Sequence, residues 1–349
     1  MFNKRRALQK LCLFIALGLF IIATTIYCID PFYQYHAPYF GMKTVLFDKE
    51  SQVIGSVRNL TYDSVLLGSS EAENFNSCFL DEQYNCTTLK VIKGSGSITD
   101  LLYYLDKAHK ANEIKHVFWC LDTFALALDT ELSVCSQYSP KYLFTDTMLD
   151  DFPYLFNKDV LLEKAPLLIA YSMTDTYTDG NGYNWSEGKR FGKEAAMSAY
   201  QPVSDLKVPE SSEDYLPLVR ENLRLIREEI EAHPNISYTI LIPPYSLLWW
   251  KTVWQEGSSE KYLVAIDELL PMLVSFDNVN VFFFAADKEI TCNLDYYMDQ
   301  IHYSPEISQL MLNSTVSGDY KVNKENVDSV TICMRDTFQF MITDSHWSY

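Results

Sequence analysis

Ser70 ends a Gly68-Ser69-Ser70 turn directly behind the apolar run Val65 to Leu67, and about 230 residues later the chain reads Asp299-Gln300-Ile301-His302. A serine hydroxyl attacks a carbonyl well only when an imidazole takes its proton, and the imidazole works best when a carboxylate fixes its tautomer. Asp299 and His302 stand three residues apart, so one turn of chain can present both to the same serine. Each signal is weak alone, because Gly-x-Ser and Asp-x-x-His are common strings. Their order and their placement relative to the strands carry the reading of Ser70 as nucleophile, His302 as general base and Asp299 as orienting carboxylate.

The elements that must hold these groups can be traced along the chain. Ser64 to Leu67 and Leu89 to Ile92 are short apolar runs that end in the glycine-bearing turns at Gly68 and at Gly94-Ser95-Gly96-Ser97. Both read as buried strands. Thr99 to Ala111 has helical spacing through Leu101, Leu102 and Leu105, and His116 to Leu121 reads as a third strand. From about residue 123 to 208 the alternation lapses, which predicts a cap or long insertion; Trp185 lies there among Gly and Tyr, as a candidate ligand contact. It resumes with a helix from Glu213 to Ala232, a strand Tyr238 to Ile242 ending at Pro243-Pro244-Tyr245, a helix Lys261 to Phe276 and a strand Val279 to Ala285. Strand and helix alternating in this way predict an α/β fold with a central parallel sheet of about five strands covered on both faces. Reactive groups in such sheets gather outside the carboxyl ends of the strands. Ser70, the Gly94 to Ser97 loop, Asp122, Tyr245 and the Asp299–His302 pair each follow one strand end.

This arrangement resembles the SGNH (GDSL-like) hydrolase superfamily over roughly Tyr62 to Asn313, and within it the membrane-anchored bacterial members related to cell-surface glycan acylation and teichoic acid D-alanine transfer. Gly68-Ser69-Ser70 is similar to the first block, whose third residue is the nucleophile. Gly94-Ser95-Gly96 is similar to the second, whose glycine amide helps bind the oxyanion; Gly96 is the residue favoured here. Asp299 to Ser304 is similar to the last block. The resemblance implies a three-layer, flavodoxin-like sandwich, an oxyanion site that includes Ser70 and Gly96, and no metal or organic cofactor. The third block departs from the family: where many relatives carry an oxyanion-donating Asn, this chain has Cys120-Leu121-Asp122. Asn74 is a substitute donor, Asp122 takes a structural or substrate-positioning role, and Tyr245 is a separate candidate for the pocket.

The composition suits a globular body, 48% hydrophobic and 21% charged over 349 residues. A formal charge of −18 disfavours nucleic acid as a partner. The basic tip at residues 1–10 is followed by an uncharged run from Leu11 to Ile29, about 28 Å as a helix and so long enough for a bilayer. It is expected to be an uncleaved anchor with the tip in the cytoplasm and the body outside. The expected organisation is thus tip, anchor at 11–29, stalk at 30–61 and a catalytic domain at 62–349. Its partners would be a cell-surface glycan or wall polymer, the membrane, and a membrane-bound acyl-transfer system. Eight cysteines show no metal-ligand spacing; in an exported body they permit disulfides, with Cys78 and Cys86 the nearest pair. The histidines other than His302 lack comparable context and read as structural.

Overall fold

The computed structural model describes residues 2–136, 138–203 and 205–343. In chain order its helices and strands are α1 (Phe2–Ile29), α2 (Lys49–Asn59), β1 (Ser64–Gly68), α3 (Ser77–Tyr84), β2 (Thr88–Ile92), α4 (Ile98–Ala111), β3 (His116–Cys120), α5 (Phe152–Leu155) and α6 (Ala165–Thr174). There follow α7 (Lys193–Ala199), α8 (Ser212–Ala232), β4 (Ser237–Ile242), α9 (Leu247–Gln255), α10 (Ser259–Leu273), β5 (Val279–Phe283), α11 (Lys288–Thr291), α12 (Pro305–Ser317), β6 (Lys321–Val322) and α13 (Val327–Thr343).

The chain divides into two compact units, residues 1–61 with 135–182 and residues 62–134 with 183–349. The second unit holds the whole sheet, in the order β2-β1-β3-β4-β5-β6. The first five strands are parallel, with Val65 beside Leu89 and Val117, and Ile240 beside Trp119 and Val281. Their side chains are nearly all buried, as a parallel sheet covered by helices requires. The expectation of about five parallel strands needs one correction: a sixth, β6, runs antiparallel to β5 through Val281–Val322 and Phe282–Lys321. At two residues it is too short to leave a periodic signal. From β1 the chain steps to β2 on one side and from β2 back past β1 to β3 on the other. Right-handed crossovers therefore put α3 and α4 on opposite faces. In keeping with that, α3 packs against α12, while α4 packs against α8 and α8 against α10.

The first unit contains α1, the one helix among the described residues that is long and apolar enough to cross a membrane, over Lys4–Ile29. Its length and composition suit an anchor and a signal sequence alike. Within this unit Asp30, fully buried, accepts from the amides of Gln34, Tyr35 and His36 and from the Tyr154 hydroxyl, which fixes the turn that ends α1. The Cys78 and Cys86 side chains are not bridged to each other.

Candidate active site

The site is assembled on the second unit, at the carboxyl ends of the strands. Strand β1 stops at Gly68, where an added Cβ would meet Ala72 Cβ at 2.8 Å and Cys120 O at 3.1 Å, so only glycine lets the chain fold back this tightly. Ser69 then caps a single 3-10 turn, Ser70–Ala72, by accepting from the Glu71 amide at 3.3 Å. Ser70 is thereby presented as the first residue of that turn.

The partner loop after β5 is built by its own hydrogen bonds. Asp299 Oδ1 accepts from the amides of Ile301 and His302, both at 2.9 Å, and Tyr297 pairs with Tyr303 across the loop. The segment after β4 clamps it from outside: Ser246 Oγ donates to Gln300 O at 2.6 Å and the Tyr297 hydroxyl to Pro244 O at 2.7 Å. Held in this way, His302 Nδ1 lies 2.7 Å from Asp299 Oδ2, and His302 Nε2 lies 3.0 Å from Ser70 Oγ. Burial pushes the Asp299 carboxyl upward, but the imidazole and the two loop amides outweigh it and leave the group below the ordinary carboxylate range. An ionised Asp299 makes Nδ1 the protonated nitrogen, which leaves Nε2 to accept the serine proton.

Trp185 joins the same cluster. Its indole Nε1 donates to Ser70 O at 3.1 Å, its amide donates to Asn74 Oδ1 at 3.2 Å, and its ring meets the His302 ring edge-on at 5.2 Å. Because an amide N–H must face the Asn74 oxygen, the assignment of that side chain is settled, and its NH2 end is the one left for a ligand. Phe191 stacks on Trp185 at 6.2 Å and, with Gly192, Lys193, Met197, Asp295 and Met298, lines an open cleft of about 1020 Å³.

Three expected residues are placed differently from the sequence reading. Gly96 follows β2 as expected, but its amide donates to Lys93 O at 2.9 Å and closes a turn in which Ser95 has φ +51°, so that N–H is already engaged. Asp122 and Tyr245 were expected beside the substrate; instead both are buried, with the Tyr245 hydroxyl donating to Asp122 Oδ1 at 2.6 Å. They form a buried pair behind the Ser70 turn. Burial raises the Asp122 carboxyl to about 6, with Tyr245 and Ser69 opposing the rise.

Glu71, next to Ser70, is a residue that sequence reasoning missed. It is buried, its Oε1 stands 3.6 Å from His302 Nε2, and neither carboxyl oxygen has a hydrogen-bond donor. Burial, followed by the charges of Asp122, Asp299 and Glu73, holds it well above the ordinary carboxylate range. Its surroundings thus favour the protonated form over the ionised one. An acidic side chain just after a strand-end serine gives no pattern that distinguishes burial from exposure, so only its adjacency to Ser70 pointed to it.

No family model matches the chain, and no curated protein matches it. Among solved structures it is similar to one from Streptococcus pneumonia described as that of a "putative platelet activating factor", with 12% identity and a TM-score of 0.39 over 78% of this chain and 90% of that one.

Proposed function

We propose that the protein is a membrane-tethered serine esterase or acyltransferase of the SGNH type, with a three-layer core, acting outside the membrane on O-acyl groups of a cell-surface glycan or teichoic-acid-like polymer. The observation that carries this reading is the hydrogen-bonded line from Ser70 through His302 to Asp299, at 3.0 and 2.7 Å. In the reaction Ser70 Oγ attacks the ester carbonyl while its proton passes to His302 Nε2. The imidazolium, steadied by Asp299, then returns the proton to the departing sugar oxygen. Water or a second hydroxyl, deprotonated in turn by His302, takes the acyl group from Ser70 and restores the serine.

The developing oxyanion needs donors. Among the described residues neither the Ser70 amide nor the Asn74 NH2 has a hydrogen-bond acceptor, and these two groups are proposed for that role. The cleft lined by Phe191 is of the size that accommodates a small ligand and offers one aromatic face suited to a sugar ring.

A second reading, a glycan-binding or scaffolding module with little turnover, is favoured by the engaged Gly96 amide and by Asp122 in place of an oxyanion donor. Labelling with a serine-directed fluorophosphonate separates the two. Labelling of the wild type that vanishes in Ser70→Ala supports the enzyme; an unlabelled wild type supports the scaffold.

A further inference from the structure

The unit formed by residues 1–61 and 135–182 has a surface that acyl transfer does not use. The uncharged part of α1 lies between Lys10 and Asp30. It measures roughly 28 Å against a hydrocarbon core of about 30 Å, so if α1 crosses a bilayer none of this run is left over above it. Along α1 the apolar side chains through Ile21 are exposed, with Leu13 at 70%, Phe14 at 75% and Phe20 at 68%, whereas Ile26 is buried and Ile22, Ala23, Cys28 and Ile29 are partly covered. Helix α1 packs against α5 and against the π-helical turn Val160–Lys164 that leads into α6. Whatever lies beside the last turns of α1 stands at their depth, at the boundary of acyl chains and headgroups.

What these neighbours turn outward is mostly apolar, with Glu163 the one exposed charge between residues 162 and 173. No charge interrupts α6 between Lys164 and Asp175. Leu162, Pro166, Ile169, Ala170 and Met173 follow helical spacing on one face, and all five are exposed, while Ala165 and Leu168 on the other side are buried. Lys164 is paired with Asp48 at 3.1 Å, and Asp175 with Lys43 at 2.6 Å, so both flanking charges are tied back to their own unit. Phe152 of α5 is exposed as well. A helix apolar on every side belongs in a core or in lipid, and ten residues, about 15 Å, cannot span a bilayer. Beside the end of α1, the rings of Tyr27, Tyr35, His36 and Tyr39 contact one another in a cluster, the aromatic signature of a membrane–water boundary.

We propose that the outward face of residues 162–173, with Phe152, is seated in the headgroup and acyl boundary of a lipid bilayer, so that this unit rests in the membrane surface instead of hanging from a tether. The proposal rests on the anchor reading of α1. It is tested with the full chain in vesicles of phosphatidylethanolamine and phosphatidylglycerol, carrying photoreactive benzoylphenylalanine in place of Leu162, Ile169 or Met173. Phe14 is the reference position within α1 and Glu228 the water-facing one. Lipid adducts are read by mass, and a thermal melt confirms that each chain folds. The expected result is adduct formation at all three positions at the yield seen at Phe14, and none at Glu228. Adducts at Phe14 alone would overturn the proposal while leaving the anchor intact. Adducts at the three positions without Phe14 would uphold the surface and remove the anchor reading, and adducts nowhere would remove both. Crosslinks in native membranes that run to one protein and not to lipid would overturn the proposal in favour of a protein partner.

Discussion

Two buried carboxyls lie close to Ser70, and burial raises both. Asp122 has the Tyr245 hydroxyl as donor and is pushed up to about 6, whereas Glu71 has no donor and is held well above the ordinary carboxylate range. The consequence for stability has a definite sign. At low pH the folded and unfolded chains both keep the Glu71 proton, and the group costs nothing. Once the pH passes the ordinary carboxylate value of 4.5, the unfolded chain loses the proton and the folded chain retains it, so stability falls as pH rises toward the folded pKa. Glu71→Gln removes that titration. As pH rises above the ordinary carboxylate range its melting temperature should fall less than that of the wild type, and parallel curves would contradict the assignment. Asp299 behaves in the opposite sense: its lowered pKa adds stability above the ordinary carboxylate range, lost only as acid protonates the folded carboxylate. In catalysis Asp299→Asn leaves the geometry but not the tautomer, so kcat for ester cleavage should drop about 10³- to 10⁴-fold with KM little changed.

At the level of elements, the site depends on tight turns and on one loop clamped by another. Gly68→Ala forces a methyl group against Ala72 and the Cys120 carbonyl and should cost about 1–3 kcal/mol, seen as a lower urea midpoint at unchanged slope. Tyr245→Phe removes one of the donors to Asp122, and should lower stability by a similar ~1–3 kcal/mol and push the Asp122 carboxyl further up. These elements were unequally visible in the sequence. The five parallel strands announced themselves because each is a short apolar run closed by Gly, Pro or Asp, and Ser70, His302 and Asp299 followed from where those runs stop. β6 was hidden because it owes its existence to β5 and not to any pattern in Lys321–Val322. The glycines after β2 were visible as a turn, but which N–H the turn would consume was not, since that depends on the sign of φ at Ser95. For Asp122, Tyr245 and Glu71 the strand-end position was legible, whereas burial, which decides their chemistry, is a property of the packed unit.

For the whole molecule, the formal charge of −18 predicts that a polyanionic substrate approaches against a repulsive field. Raising ionic strength from about 0.01 to 0.15 M shortens the screening length from about 30 Å to about 8 Å and should increase kcat/KM on an anionic wall polymer while leaving a small neutral ester unaffected. A decrease on the polymer would mean that cations at the cleft, Arg190 and Lys193, outweigh the global field. The most direct test of the central claim is acid release from O-acetylated and D-alanylated wall polymers by the purified protein, compared with Ser70→Ala and His302→Ala. Release by the wild type that is lost in both variants is the predicted result; equal release from all three proteins would contradict it.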